Sequence, residues 1–178
     1  MGIRCIIILC VVFLTCTDCL SAQVRSPAKS VSGRPSIFKL SPFERAVLCI
    51  KHFEGWHDAR HYPYVGWGHL LQPGERYSAR TMTRRQADAL LRSDLRKFCA
   101  MFRKFGADSL WLGVLAYNVG PAKLLGGKHY PKSKLIRKLE RGDRNIYREY
   151  IAFCNYKGKR HAMLLKRRKV EFALLYIP

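Results

Sequence analysis

The feature that most constrains the fold is an interruption of helical periodicity between two clearly signalled helices. The first helix opens with SPFE at residues 41–44, where Ser41 is a good N-cap and Glu44 completes a capping box. Apolar residues then recur at helical spacing until Gly55, which favours a left-handed stop. Glu54 is therefore predicted to lie on the last turn of this helix.

Between residues 56 and 77 the helical period disappears. Tyr, Val and Trp alternate with small or polar residues, and Pro63 and Pro73 interrupt the segment. This pattern predicts a short β-hairpin or small sheet. A second capping box, Thr83 with Gln86, then starts a long helix that is predicted to end near residue 104.

The rest of the chain is predicted to be helical. Asp108 precedes SLWLGVLAYNVG, a segment that is apolar nearly all round and is therefore expected to be central and buried. Helices with one basic and one apolar face are predicted at 133–140, 144–154 and 163–176. The predicted fold class is α+β, mainly α, with a short helix, a small β patch and a helical bundle.

The N-terminus is typical of a secretory signal peptide. Residues 1–22 contain Arg4, an apolar run and small residues suited to cleavage after Ala22. A retained anchor, or a lipid on Cys16 or Cys19, is the alternative. Residues 23–40 are rich in Ser, Pro and basic residues and indicate a linker or loose arm, which leaves 41–178 as one folded domain. We expect an exported monomer, periplasmic or extracellular, with no stable membrane span after cleavage.

The net charge of the chain indicates which partners it attracts rather than how it folds. Lys and Arg number 33 against 12 Asp and Glu, which gives a net charge of +21. Outside the cytoplasm such a charge favours anionic cell-wall polymers, although a basic surface that only keeps the protein soluble is the alternative. No nucleic-acid module is recognisable, so specific nucleic-acid binding is not expected. Cys49, Cys99 and Cys154 are predicted to be buried free thiols, with one disulfide as the alternative.

The segment HFEGWHDARHYPYVGWGH, residues 52–69, concentrates the candidate chemistry. The helix dipole and the neighbouring aromatic rings both favour the protonated form of Glu54, as a general acid requires. Asp58 follows at the start of the β segment. Two carboxylates in different environments can cleave a glycosidic bond. The alternatives are a solvated Glu54 and an Asp58 that bonds its own turn.

The histidines of this segment suggest a rival site. His57, Asp58, His61 and His69 are candidate zinc ligands, as in a cell-wall peptidase. However, the segment is not predicted to be helical, so His57 and His61 are not placed on one face, and the motif HExxH is absent. We therefore expect no metal and no cofactor, and a structural role for His69 in the hairpin.

The order of motifs resembles the phage-type lysozymes, glycoside hydrolase family twenty-four. IKHFEG followed by VGWGH is similar to the family's catalytic Glu and its hairpin, and LWLGVLAYNVG is similar to its buried helix. SKLIRKLERGD and the segment from CNYKGKR to the C-terminus resemble the family's last two motifs. The resemblance covers roughly residues 41–176 and implies a lysozyme-like fold with a small β lobe and a helical lobe.

The resemblance implies a muramidase, which hydrolyses the β-1,4 bond between N-acetylmuramic acid and N-acetylglucosamine in peptidoglycan. Glu54 takes the place of the general acid, Asp58 that of the second carboxylate, and Tyr64 stands where the family usually has a catalytic Thr. His69 and Asn118 are then expected at the substrate-binding cleft, with a helix C-cap as the alternative for Asn118. One Arg of KRRK is expected to pair with Glu54.

The chain departs from the family pattern near the start of the hairpin. Glu54 and Asp58 have three residues between them, where the family tends to have about eight. A catalytically impaired peptidoglycan-binding protein with the same fold is therefore the main alternative. A zinc-dependent cell-wall peptidase is the next.

Overall fold

The computed structural model describes residues 36–178, so the predicted signal peptide and most of the predicted arm lie outside the described residues. Within these residues the fold is mainly helical, as predicted, and it contains two small antiparallel hairpins, of which only the first was predicted. The helices are α1 (Pro42–Glu54), α2 (Arg84–Met101), α3 (Ser109–Val119), α4 (Ala122–Leu125), α5 (Lys134–Glu140), α6 (Tyr147–Ile151) and α7 (Ala162–Leu175). The strands are β1 (Tyr64–Val65), β2 (His69–Leu70), β3 (Asn155–Tyr156) and β4 (Lys159–Arg160).

Helix α3 forms the centre of the helical lobe. Residues 111–116 are all buried, which agrees with a helix that is apolar on every side. Helices α1, α2 and α7 pack around it. Burying a large apolar side chain stabilises the folded state by roughly 1.5–3 kcal/mol, so this helix anchors the elements that carry the site.

The first hairpin is shorter than the predicted sheet. Its strands pair Tyr64 with Leu70 and Val65 with His69. Arg84, at the start of α2, holds this lobe from the side, since its guanidinium lies 3.9 Å from the ring centroid of Trp56. Such cation–π contacts typically contribute about 0.5–1 kcal/mol at exposed sites. The hairpin is therefore tied to α2 rather than supported by a larger sheet.

The region before the last helix differs from its prediction. The helix predicted at 144–154 covers only Tyr147–Ile151, and the second hairpin, β3–β4, follows it. Lys157 and Gly158 at its turn both have positive φ, 49° and 77°. Asn-Gly or Asp-Gly is the usual sequence signal for such a turn. Here Lys157 occupies the first turn position, so the sequence did not indicate the turn. The four-residue helix α4 was not predicted either, because one turn of helix carries no readable period.

The three cysteines of the described residues are free thiols, and Cys49 and Cys154 are buried. Burial, together with the charge of Glu171, raises the pKa of the Cys49 thiol to about 12. Among residues 36–178 no helix combines the length and the apolar character needed to cross a bilayer.

Candidate active site

Glu54 is placed by the way helix α1 ends. The Oγ of Ser41 accepts a hydrogen bond from the backbone N–H of Glu44 and fixes the start of the helix, as the capping signal predicts. At the other end Gly55 has a φ of 69°, a conformation that favours glycine, and its N–H donates to the carbonyl of Lys51. The chain therefore turns away directly after Glu54 and leaves its carboxyl at the helix terminus.

A cleft of about 810 Å³ opens beside Glu54. The first hairpin forms one wall, and helices α2 and α3 form the other. The hairpin side contributes His57, Tyr64, Gly68, His69, Leu70 and Gln72, and the helical side contributes Asp94, Lys97, Phe98, Met101 and residues 116–121. The lining of the cleft mixes apolar and polar groups.

The two oxygens of Glu54 have different surroundings. Oε1 accepts hydrogen bonds from Nη1 of Arg167 at 2.7 Å and from Nδ2 of Asn118 at 3.4 Å. Oε2 has no hydrogen-bond partner among the described residues. A side chain on Gly68 would place its first carbon 3.4 Å from Oε2. The glycine thus keeps open the space on the hairpin side of Glu54, where Oε2 is the oxygen available to carry a proton.

A ring of polar side chains lies behind Glu54. We call Glu54, Arg167, Glu171, Arg168 and Asn118 the carboxylate–arginine ring. Arg167 joins Glu54 to Glu171, and Arg168 joins Glu171 to Asn118, which returns to Glu54. The ring contains two carboxylates and two guanidinium groups, so its formal charges cancel. Burial lowers the pKa of Arg167, but the charges of Glu171 and Glu54 outweigh burial and leave it raised.

His69 is a cleft residue whose ring is held on both sides. Its side chain is 7% exposed, with Nδ1 2.5 Å from Oδ2 of Asp94 and Nε2 2.7 Å from Oε2 of Glu75. Burial lowers the pKa of His69, but the hydrogen bonds to Asp94 and Glu75 outweigh burial and leave it raised. These contacts join the hairpin to α2. The role of His69 in substrate binding stays a prediction.

This arrangement predicts a pH-dependent contribution to stability. Because the pKa of His69 lies above its ordinary value of 6.5, the stabilisation is fully present below that pH and is lost as pH rises through the folded-state pKa. The melting temperatures of wild type and His69→Gln, compared between about pH 5.5 and 8.5, measure it. We expect the difference to narrow as pH rises. A difference that stays constant over this range would contradict a charged His69 held between Asp94 and Glu75.

Asp58 lies outside the set of residues that line the cleft. It caps the 3-10 turn Ala59–His61, and its carboxylate accepts hydrogen bonds from Arg60, with Nη2 at 2.7 Å, and lies 2.9 Å from Nδ1 of His61. Hydrogen bonding to the side chain and backbone of Arg60 holds the pKa of Asp58 well below its usual range. These contacts are those of the alternative given above, in which Asp58 bonds its own turn. The catalytic role of Asp58 stays a prediction.

Tyr64 and Asn118 both line the cleft. Tyr64 lies in β1 with its ring centroid 5.9 Å from that of His57. Asn118 is the penultimate residue of α3, and its side-chain amide bridges Glu54 and Arg168. Gly120 ends this helix, so Asn118 is not its C-cap.

Several residues of the site were missed or left open by the sequence prediction. Arg167 is the arginine of KRRK that pairs with Glu54. Glu171 was not singled out, although it lies four residues after Arg167, a spacing at which helical side chains meet. Asp94 and Glu75 gave no local signal, because only the fold brings α2 and the loop after β2 to opposite sides of His69.

Residues 36–178 contain no group of three or more His, Cys, Asp or Glu side chains suited to hold a metal ion. Three histidines of residues 52–69 have other partners. His57 and His61 contact each other through their rings, with centroids 4.9 Å apart, whereas His69 is occupied by carboxylates.

Comparisons with known proteins agree with this fold. An endolysin from Escherichia coli O157:H7 phage FAHEc1 is structurally similar, with a TM-score of 0.59 and 22% sequence identity. The match covers 76% of this chain and 93% of the endolysin. No curated protein matches the sequence. The sequence profile of phage lysozyme matches residues 51–171, more than half of the chain, and includes Glu54 and the whole carboxylate–arginine ring. The chain therefore belongs to the phage lysozyme family.

Proposed function

We propose that the protein is a peptidoglycan hydrolase, specifically a muramidase that cleaves the β-1,4 bond between N-acetylmuramic acid and N-acetylglucosamine. One observation carries the proposal. Glu54 faces a cleft with Oε1 held by Arg167 and Asn118 and with Oε2 unpartnered, in a chain of the phage lysozyme family. The solved structure whose fold is similar to that of this chain is named an endolysin, which is consistent with this proposal.

In this proposal Glu54 is the general acid. Its Oε2 donates a proton to the glycosidic oxygen as the bond to the anomeric carbon breaks, and water supplies the hydroxyl group that completes hydrolysis. The second proton of this water is released, and protonation of Glu54 from solvent restores its acid form. The carboxylate left on Glu54 is stabilised by the guanidinium of Arg167 at 2.7 Å. Because Oε1 is fixed by two donors, Oε2 keeps one position against the bound sugar, and such positioning is itself catalytic.

The second catalytic role, orienting or activating the attacking water, stays assigned by the family resemblance to Asp58 with Tyr64. Tyr64 already lines the cleft, whereas the carboxylate of Asp58 is bound by Arg60 and His61. Arg60 is largely exposed, with 85% of its side chain accessible, so this ion pair is screened by water and weak. Asp58 is thus free to exchange Arg60 for another partner at little energetic cost.

The charge of the chain suits this substrate. A net charge of +21 attracts anionic wall polymers and raises the local concentration of the protein at the wall. We propose that it acts as a monomer after export, in the periplasm or outside the cell. No cofactor takes part in the proposed chemistry, since the proton donor and the groups that position it are side chains.

The product sugars test the bond that is cut. We expect purified peptidoglycan, digested and then reduced with borohydride, to yield fragments whose reduced end is N-acetylmuramic acid, identified by mass spectrometry. Reduced N-acetylglucosamine would instead identify a glucosaminidase. New peptide amino termini would identify a peptidase. Binding to the wall without release of any fragment would favour a catalytically impaired wall-binding protein.

A further inference from the structure

Glu171 is a completely buried carboxylate that the proposed reaction does not use directly. Its side chain is 0% exposed, and it accepts hydrogen bonds from three groups. These come from Nε of Arg167 at 2.7 Å, Nη2 of Arg168 at 3.2 Å and the hydroxyl of Tyr150 at 3.0 Å. A buried carboxylate is costly unless it is paired, so a position that retains one invites a functional explanation.

Both arginines that Glu171 holds lead to Glu54. Arg167 uses Nε for Glu171 and Nη1 for Glu54, so one planar guanidinium spans the two carboxylates. Arg168 donates from Nη2 to Oδ1 of Asn118 at 2.9 Å, and this contact orients the amide so that Nδ2 faces Glu54. Each of the two donors on Oε1 of Glu54 is therefore fixed, directly or through one side chain, by Glu171.

We propose that Glu171 is a positioning residue that holds both donors onto Oε1 of Glu54 and offsets the second positive charge of the ring. This role rests on the proposed function. With Glu171 present, two guanidinium groups face two carboxylates. Without it, both guanidinium groups act on Glu54 alone and favour its carboxylate form, which cannot donate a proton.

Several donors of the ring already lack an acceptor while Glu171 is present. Nη2 of Arg167 and Nη1 of Arg168 are buried and lack hydrogen-bond partners among the described residues, and Nε of Arg168 has only an ion-pair contact, 3.2 Å from Oε2 of Glu171. Loss of Glu171 adds Nε of Arg167 to this set. The guanidinium of Arg167 is then no longer fixed in the orientation that places Nη1 on Glu54. The loss of Glu171 therefore changes both the geometry and the charge around Glu54.

The other titratable groups around the ring do not provide this negative charge. Tyr117 of α3 and Tyr150 of α6 are neutral, because burial raises the pKa of each phenol. Cys49 of α1 is likewise neutral near pH 7. Across the cleft lie His57 and His69 on the hairpin side and Asp94, which is paired with His69, on α2. A substitution of Glu171 takes the acceptor from the Tyr150 hydroxyl and a negative charge from near Cys49, but burial still keeps both groups neutral.

The Glu171→Gln variant tests the proposal through the pH profile of peptidoglycan hydrolysis. We expect the alkaline limb of this profile, where activity falls as pH rises, to move to lower pH by about one unit. The reason is that two unopposed arginines favour ionised Glu54. We also expect kcat to fall about tenfold at neutral pH with KM unchanged, since Glu171 does not contact the cleft. Loss of packing alone would lower stability without moving the limb.

Asp108→Asn is the matched control. Asp108 is also a buried carboxylate paired with an arginine, Arg144, but it lies at the opposite end of α3 from Asn118. We expect this variant to melt at a lower temperature and to keep the wild-type pH profile. An equal shift of the limb in both variants would overturn the specific role of Glu171.

A double variant, Glu171→Gln with Arg168→Gln, replaces the single variant if that variant does not fold. It removes the positive charge of Arg168 that Glu171 no longer offsets. We expect its alkaline limb to return towards wild type while kcat stays low, since Arg167 still lacks its anchor. A folded single variant with an unmoved limb, or a double variant with wild-type kcat, would overturn the role of Glu171 alone. Wild-type protein that releases no sugar fragments would overturn the proposed function as well.

Discussion

Glu54→Gln is expected to lower hydrolysis of purified peptidoglycan by about 10²–10⁴-fold, the usual contribution of general acid catalysis. Gln matches the shape of Glu and retains an oxygen for Arg167 and Asn118, so the ring keeps its contacts. It cannot deliver a proton to the glycosidic oxygen. The measurement is the initial rate of release of reducing ends at the pH optimum, with binding to the wall followed by sedimentation.

Glu44→Gln provides the matched control on the same helix. Glu44 lies at the start of α1, is 40% exposed and pairs with Arg92, with Nη1 to Oε1 at 2.5 Å. Its substitution is expected to leave hydrolysis within about twofold of wild type, because exposed ion pairs contribute little. If Glu54→Gln cleared peptidoglycan as fast as Glu44→Gln, another residue would have to be the acid.

Arg167→Met is expected to reduce the free energy of unfolding by about 3–5 kcal/mol, the range typical when one partner of a buried ion pair is removed. The Arg167 side chain is 4% exposed and serves both Glu54 and Glu171. Met replaces much of the aliphatic stem but leaves two carboxylates facing each other with Arg168 alone. Chemical denaturation near pH 7, followed by circular dichroism, measures the loss.

Lys169→Met is the control for Arg167→Met, because it removes a positive charge two residues further along α7 from an exposed position. We expect a change below about 0.5 kcal/mol, as is usual for surface substitutions. Equal losses in the two variants would mean that the effect comes from the helix or the net charge. A small loss in Arg167→Met would instead mean that the ring relaxes without its central arginine.

Glu54 and the elements around it were predictable because their signals are local. A capping residue, a helical stripe and a terminal glycine lie within a few residues of one another, so the sequence predicted that Glu54 ends a helix. The second carboxylate was harder to place. Asp58 was named by its position in the motif, and its side-chain contacts depend on how the chain folds over Arg60 and His61.

The sequence by itself determined a mainly helical chain with a β hairpin after the first helix, an apolar central helix and a carboxylate at a helix end. These follow from periodicity and capping, which act over one or two turns. Only the tertiary structure decided which arginine meets Glu54, that Glu171 joins both arginines, and that His69 lies between Asp94 and Glu75. Glu54 and Arg167 are 113 residues apart in the chain. Their contact exists because α1 and α7 pack beside the same central helix, and no local pattern records such packing.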